Sequence, residues 1–152
     1  MEFTNDDIKQ FVYHSCQLLD EEIFSDYLAL FDVEKTRYRV TAYSPELRKD
    51  MVWLDHQREE LEIMLKMIPE HIRMPGRFFR HATVYSVERK EDTANVVTSL
   101  LLFHIDQHGQ LNPLSAARYH DQIRVGRDTL AIAFRDVRTD SRIFGAGIHV
   151  PI

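Results

Sequence analysis

The sequence predicts an α+β fold: three N-terminal helices packed on a strongly curved, mainly antiparallel sheet. Two changes at one place in the chain predict it. Near residue 72 the hydrophobic period passes from helical to alternating. The charge balance reverses there as well. Residues 1–72 hold 16 acidic and 8 basic side chains, and residues 73–152 hold 8 acidic and 11 basic. At 152 residues and 18.0 kDa the chain has the length of one compact domain, read as residues 1–152 without linker, repeat or low-complexity stretch.

Each element follows from a local pattern. Thr4 and Asp7 have the spacing of a capping box, and Asn5, Asp6 and Asp7 suit the positive end of a helix dipole. Ile8, Phe11, Val12, Ser15 and Leu19 then recur at helical spacing. Ile23, Tyr27, Leu30 and Phe31 continue it after Asp20, so two helices occupy about 5–31. Arg37–Tyr43 alternates polar and apolar and reads as a strand over about 37–43. A mixed-charge loop follows. Leu54, Leu61, Met64, Leu65 and Ile68 form a stripe that predicts a third helix over about 54–68, closed by Pro69 and Pro75-Gly76.

Residues 77–142 read as long strands joined by tight turns. Phe79, His81, Thr83, Tyr85 and Val87 share one face of the first. Asn95–Ile105 is almost wholly apolar, as in a strand covered on both sides. Ala117, Tyr119, Asp121, Ile123 and Val125 share a face of the next. Leu130, Ile132, Phe134, Asp136 and Arg138 share a face of the last. The tail 143–152 has no Lys, Arg, Asp or Glu, and six of its ten residues are Ile, Phe, Ala or Val. Such a tail is expected to pack at a subunit boundary, the alternative being a strand end on its own sheet.

Composition removes several classes. A net charge of −5 argues against a nucleic-acid binder, and no apolar run has the length of a bilayer span. The acidic, polar start has neither the basic nor the apolar region of a secretion signal, so a cytoplasmic protein is expected. With Cys16 alone there is no intrachain disulfide, no Cys₂His₂ or Cys₄ zinc site, and no Rieske cluster on this chain. The eight histidines show no metal-ligand spacing on a helix, and phosphate-loop and nucleophile-elbow motifs are missing. Asp55-His56 are adjacent but do not face each other on a helix. No metal or cofactor is expected on the chain.

One constellation remains. His81, Tyr119, Asp121 and Asp136 sit on strand faces among apolar neighbours. A pocket between helices and a curved sheet could use His81 with Asp121 or Asp136 as a general base. That would make a stand-alone isomerase or dehydratase. The competing reading is that these groups satisfy one another or a neighbouring subunit by hydrogen bonds. A binding module with a pocket and no chemistry is a third reading.

The order of segments bears on these readings. Gln17–Phe31, Arg37-Tyr-Arg-Val40, Trp53–Leu61, Arg80-His81, Arg118-Tyr-His-Asp121 and Arg135–Asp140 together resemble the small (β) subunit of Rieske-type aromatic-ring-hydroxylating oxygenases. The resemblance spans nearly the whole chain. It implies the cone-like fold of the nuclear-transport-factor and ketosteroid-isomerase superfamily and a non-catalytic role. The [2Fe-2S] Rieske cluster and the mononuclear Fe(II) would then lie on a partner α subunit, usually in an α3β3 hexamer. The complex would use dioxygen and electrons from NADH, with no nucleic acid or membrane as partner. The Arg37–Gln57 region looks more like small subunits serving charged substrates such as aromatic carboxylates; a sulfonate is equally compatible, since the anion would be bound on another chain.

Overall fold

The computed structural model describes residues 2–70, 75–140 and 151–152. Helix α1, Asn5–Asp20, starts at the expected capping box. The Asp7 N–H donates to Thr4 Oγ1 at 3.1 Å, and the Thr4 N–H donates to Asp7 Oδ2 at 2.7 Å. Its buried side is Ile8, Val12, Ser15, Cys16, Leu18 and Leu19. Helix α2, Phe24–Ala29, buries Tyr27. Helix α3, Arg58–Met67, is followed by one 3₁₀ turn, Ile68–Glu70. Leu61, Leu65 and Ile68 from this stretch enter the same core as the inward face of the sheet.

Six strands form one sheet: β1 Arg37–Ser44, β2 Lys49–Gln57, β3 Arg77–Lys90, β4 Thr93–Ile105, β5 Leu111–Val125 and β6 Leu130–Thr139. Their order is β2-β1-β6-β5-β4-β3. The β1–β6 pair is parallel and the other pairs are antiparallel. The sheet is curved and does not close into a barrel, and the helices fill its hollow. The expected fold class is therefore found.

Strand β2 corrects the sequence reading. Lys49–Leu54 was expected to be loop running into helix, but Lys49–Gln57 is an edge strand and the helix begins only at Arg58. An edge strand with one neighbour exposes both faces, so its side chains need not alternate. Residues 49–53 are all exposed, which erased the period of two. Asp55 and His56 consequently lie on a strand rather than at a helix start.

Bulges account for the other misplacements. In β3 the register slips between Val84 and Ser86, leaving Tyr85 as an extra residue. Phe78 and Arg80 face inward before the slip. Val87, opposite the buried Val96, faces inward after it, so Phe79, His81 and Val87 do not share a face. A second slip sets Gln122 opposite Phe134 and Ile123 opposite Ile132, which puts Ile132 in the core and Phe134 outside. One inserted residue exchanges the two faces of everything beyond it. Pro113 in β5 is tolerated at a third slip, between Leu102 and Phe103.

Gly76 leads into β3 with φ of +109°, and a Cβ there would stand 2.1 Å from the Ile105 carbonyl oxygen. Any side chain would push β3 off the end of β4. Residues 143–150 of the tail lie outside the described residues. Pro151 and Ile152 are buried, and the Ile152 side chain is part of the chain's own core.

Leu65 is 4% exposed within this core. Leu65→Ala should therefore destabilise the chain by about 2–5 kcal/mol in urea unfolding. A loss under about 0.5 kcal/mol is the size expected of a surface position and would contradict this packing.

Candidate functional site

The hollow between helices and sheet is where a ligand or reaction site would be expected, and it is built around charged groups. Asp121 on β5 stands directly opposite Arg135 on β6. Both side chains are fully buried. Arg135 Nε and Nη2 donate to Asp121 Oδ1 and Oδ2, each at 2.8 Å, a bidentate pair. Its Nη1 reaches Tyr27 Oη of α2 at 3.4 Å, and the guanidinium lies 4.0 Å from the centre of the Tyr119 ring. Tyr38 of β1 is in register with Arg135. One cation thus joins β1, β5, β6 and α2.

Arg80 of β3 is the second buried cation. Its Nη1 donates to Asp20 at the end of α1 at 2.8 Å. Its other edge serves the end of the described chain: Nε donates to the Ile152 oxygen at 3.0 Å and Nη2 donates to the Pro151 oxygen. Tyr119 Oη donates to the same Ile152 oxygen, and the Ile152 N–H donates to Tyr38 Oη at 3.1 Å. Main chain, not a small molecule, occupies the polar heart of the hollow.

Electrostatics follow from burial. Burial pushes the phenols of Tyr27, Tyr38 and Tyr119 up, and Arg135 offsets only part of that push. Burial likewise raises the Cys16 thiol, against the pull of Arg135 and Arg80. Asp20 is raised by burial in spite of its bond to Arg80. For Arg135 burial pulls downward, but Asp121 and the surrounding groups hold its pKa well above the usual value. Thr98 Oγ1, His104 Nε2 and Ser115 Oγ are buried without a hydrogen-bond partner among the described residues.

The structure separates the residues singled out from the sequence. Tyr119 and Asp121 face the hollow. His81 is exposed on the outer face, paired through Leu101 to Ala116 of β5, five residues and so one face away from Asp121. Asp136 is on the outer face too, but on β6, three strand spacings from β3, or about 14 Å across the sheet. It accepts a bidentate bond from Arg39 at 3.1 and 2.8 Å and a bond from Thr41 at 3.3 Å. His81 is therefore not brought together with Asp121 or Asp136. Arg80 and Arg135 were quoted only as parts of motifs. Their inward aim could have been read from Asp121, since a carboxylate on a buried strand face needs a cation opposite it.

The outer face carries a ladder of ion pairs along β2-β1-β6. Arg37 pairs with Asp55 at 2.9 and 2.7 Å, Arg39 with Asp136, and Arg138 with Asp50. The guanidinium carbons of Arg37 and Arg39 lie 4.8 and 5.1 Å from the centre of the Phe134 ring. These groups fix the sheet edge rather than hold a metal. Among the described residues no three His, Cys, Asp or Glu side chains cluster as a metal site. The donor set does not fit a Rieske cluster, which takes two Cys and two His, whereas Cys16 stands alone and buried. No described helix is long and apolar enough to cross a membrane.

Comparisons with known proteins agree with this geometry. Residues 4–136 match the family described as SnoaL-like domain. The β subunit of 2-aminobenzenesulfonate 2,3-dioxygenase from Alcaligenes sp. is 30% identical over 95% of this chain and 97% of its own length. The hydroxylase β subunit of methanesulfonate monooxygenase from Methylosulfonomonas methylovora is 28% identical over 97% of this chain and 86% of its own. Among solved structures, a Novosphingobium aromaticivorans chain assigned as the β subunit of an aromatic-ring-hydroxylating dioxygenase superposes with a TM-score of 0.77. It has 16% identity and covers 95% of this chain and 94% of that one. The fold is thus the cone-like one that the resemblance implied.

The buried phenols give a direct test of the filled hollow. As pH rises past the ordinary tyrosine value of about 10, Tyr27, Tyr38 and Tyr119 should stay protonated while the chain is folded. The unfolded chain ionises them there, so their contribution to stability is complete below that pH and is lost as pH rises further. Phenolate absorbance should show these three appearing only together with unfolding. Cys16 should likewise resist iodoacetamide until denaturant is added. Early titration of all six tyrosines would contradict the described packing.

Proposed function

Because the chain belongs to the SnoaL-like family and, within it, to the β subunits of ring-hydroxylating oxygenases, we propose that it is a structural, non-catalytic β subunit of a Rieske non-haem iron oxygenase. Its relatives are subunits of oxygenase complexes that act on sulfonates by name. The observation that supports the structural role is the state of the hollow. The four charged side chains described there, Asp20, Arg80, Asp121 and Arg135, are all committed to ion pairs. A general base needs a lone pair free to meet a substrate proton, and Asp121 gives both oxygens to Arg135.

On this reading the cluster and the mononuclear iron lie on a partner α subunit, in an assembly of the α3β3 kind. Substrate and dioxygen meet on that chain, with electrons passed from NADH. The substrate is an anionic compound, an aromatic carboxylate or a sulfonate. The two relatives named for sulfonates favour the sulfonate. The β subunit supplies a rigid body whose interior is closed to chemistry, and the complex works in the cytoplasm.

Co-expression with a large chain carrying Cys-x-His and Cys-x-x-His tests this. The two chains should co-purify as a coloured hetero-oligomer, and with NADH and a reductase supplied it should show sulfonate- or carboxylate-dependent oxygen uptake. His81→Ala should leave turnover per intact complex within about twofold, since an exposed strand residue off the site has no step to perform. A chain that stays a stable monomer and shows isomerase or dehydratase turnover, lost in His81→Ala, would overturn the proposal.

A further inference from the structure

Exposed apolar side chains are not scattered evenly over this molecule. Among the described residues, five of the large ones fall on the β1–β2 hairpin: Tyr43, Leu47, Met51, Val52 and Trp53. Strand β1 pairs with β6 only from Arg37 to Ala42, but with β2 as far as Ser44 and Lys49. The tip therefore stands past the end of its other neighbour. Exposed apolar groups gathered on one projecting element mark an interaction surface.

The same place carries cations that nothing answers. Arg118 of β5 stands directly opposite Arg138 of β6, where like charges repel. Asp50 takes Arg138. Arg118 is exposed and meets no carboxylate among the described residues, although Asp140 lines the same groove. That groove, open on the outer face and about 420 Å³ in volume, runs between Arg118 and Tyr43. Arg48 and Lys49 beside the tip are also exposed and without an ion pair among the described residues. Arg and aromatic side chains are the usual anchors of interfaces. This set calls for a partner surface that is both acidic and apolar.

The chain itself carries such a surface. Glu59, Ile63 and Met67 follow one another along α3 at four-residue spacing, and all three are exposed. Glu60 accepts from the Gln57 N–H and Glu62 is tied to Lys66, but Glu59 has no ion pair among the described residues. Helix α3 begins where β2 ends, which sets Glu59 about 25 Å from the hairpin tip. One chain cannot bring its own tip onto Glu59; a second copy can. We propose that the β1–β2 hairpin of one copy docks on the α3 stripe of another. Glu59 then meets Arg118, and the apolar side chains of the hairpin cover Ile63 and Met67. The contact joins two different patches, so each copy has a hairpin and a helix to offer. It is read from this chain alone. A chain that self-associates in this way but never joins an α subunit would end the oxygenase reading and leave this one standing.

Light scattering on the full chain by itself tests the contact. The mass should rise above the 18.0 kDa monomer as concentration increases through the micromolar range, and more so at low salt. The emission of Trp53, the chain's one tryptophan, should shift to the blue along the same curve. Arg118→Glu and Glu59→Arg should each raise the dissociation constant about tenfold or more. The double variant exchanges the two charges and should return to within about threefold of the unaltered chain. Melting temperatures check that each variant is folded. A chain monomeric throughout, reversals without effect, or no recovery in the double variant would overturn the proposal. So would a monomeric chain whose Arg118→Glu form fails to co-purify with a large subunit, since the patch would then serve that partner. If Arg118→Glu does not fold, Leu47→Asp at the tip is the variant to use. It sets a carboxylate against the acidic stripe and should weaken association as much; no weakening there overturns the proposal equally.

Discussion

One buried ion pair constrains the rest of the core, because neither charge can stand there without the other. Arg135 and Asp121 lie on adjacent strands at the centre of the sheet with neither side chain exposed. Removing either charge from water costs several kcal/mol. The cost is met only because every nearby group answers it: the carboxylate takes both prongs of the fork, Tyr27 receives the remaining edge, and the Tyr119 ring lies under the guanidinium. The same contacts fix the position of α2, the face of β5 and the register of β6. Tyr38 on β1 is placed opposite Arg135, so the parallel β1–β6 pairing sits over the pair too.

This constraint has consequences for function. In a curved sheet capped by helices the hollow is the natural reaction chamber. Here its charges neutralise one another, its phenols are held protonated by burial, and Pro151–Ile152 lies across Arg80 and Tyr119. The outer face answers in a different manner. Its carboxylates and guanidiniums pair across β2, β1 and β6 at partly exposed positions, where each pair adds little stability but fixes side-chain geometry. A filled interior and an ordered outer surface suit a subunit whose contribution is shape.

Much of this was legible in the sequence. The Thr4–Asp7 cap, the stripe of α1, the first strand and the Leu61–Leu65–Ile68 face all came from periodicity, because each is a regular element with one buried side. What failed was parity. Tyr85 in β3 and the residue inserted before Phe134 in β6 each exchange inside for outside, and sequence alternation has no sign that marks them. His81 was therefore weighed as inward, while its neighbour Arg80 is the residue that faces the core. Strand β2 was missed because an edge strand exposed on both sides has no alternation to read. The Arg80 grip on Pro151–Ile152 joins residues some 70 positions apart, a relation no local pattern carries. Asp121 was the available clue: a carboxylate in line with Ala117, Tyr119 and Ile123 required a buried cation.

The most direct test of the account is a double-mutant cycle on this pair, read by urea unfolding. Asp121→Leu alone and Arg135→Met alone should each destabilise by about 3–5 kcal/mol, since each leaves the other charge buried without its partner. The double variant should recover most of that loss, because two apolar groups of similar length leave no charge to compensate. Single losses below about 1 kcal/mol, or a double loss equal to the sum of the two, would contradict the claim that each charge is tolerated in the core only because the other answers it.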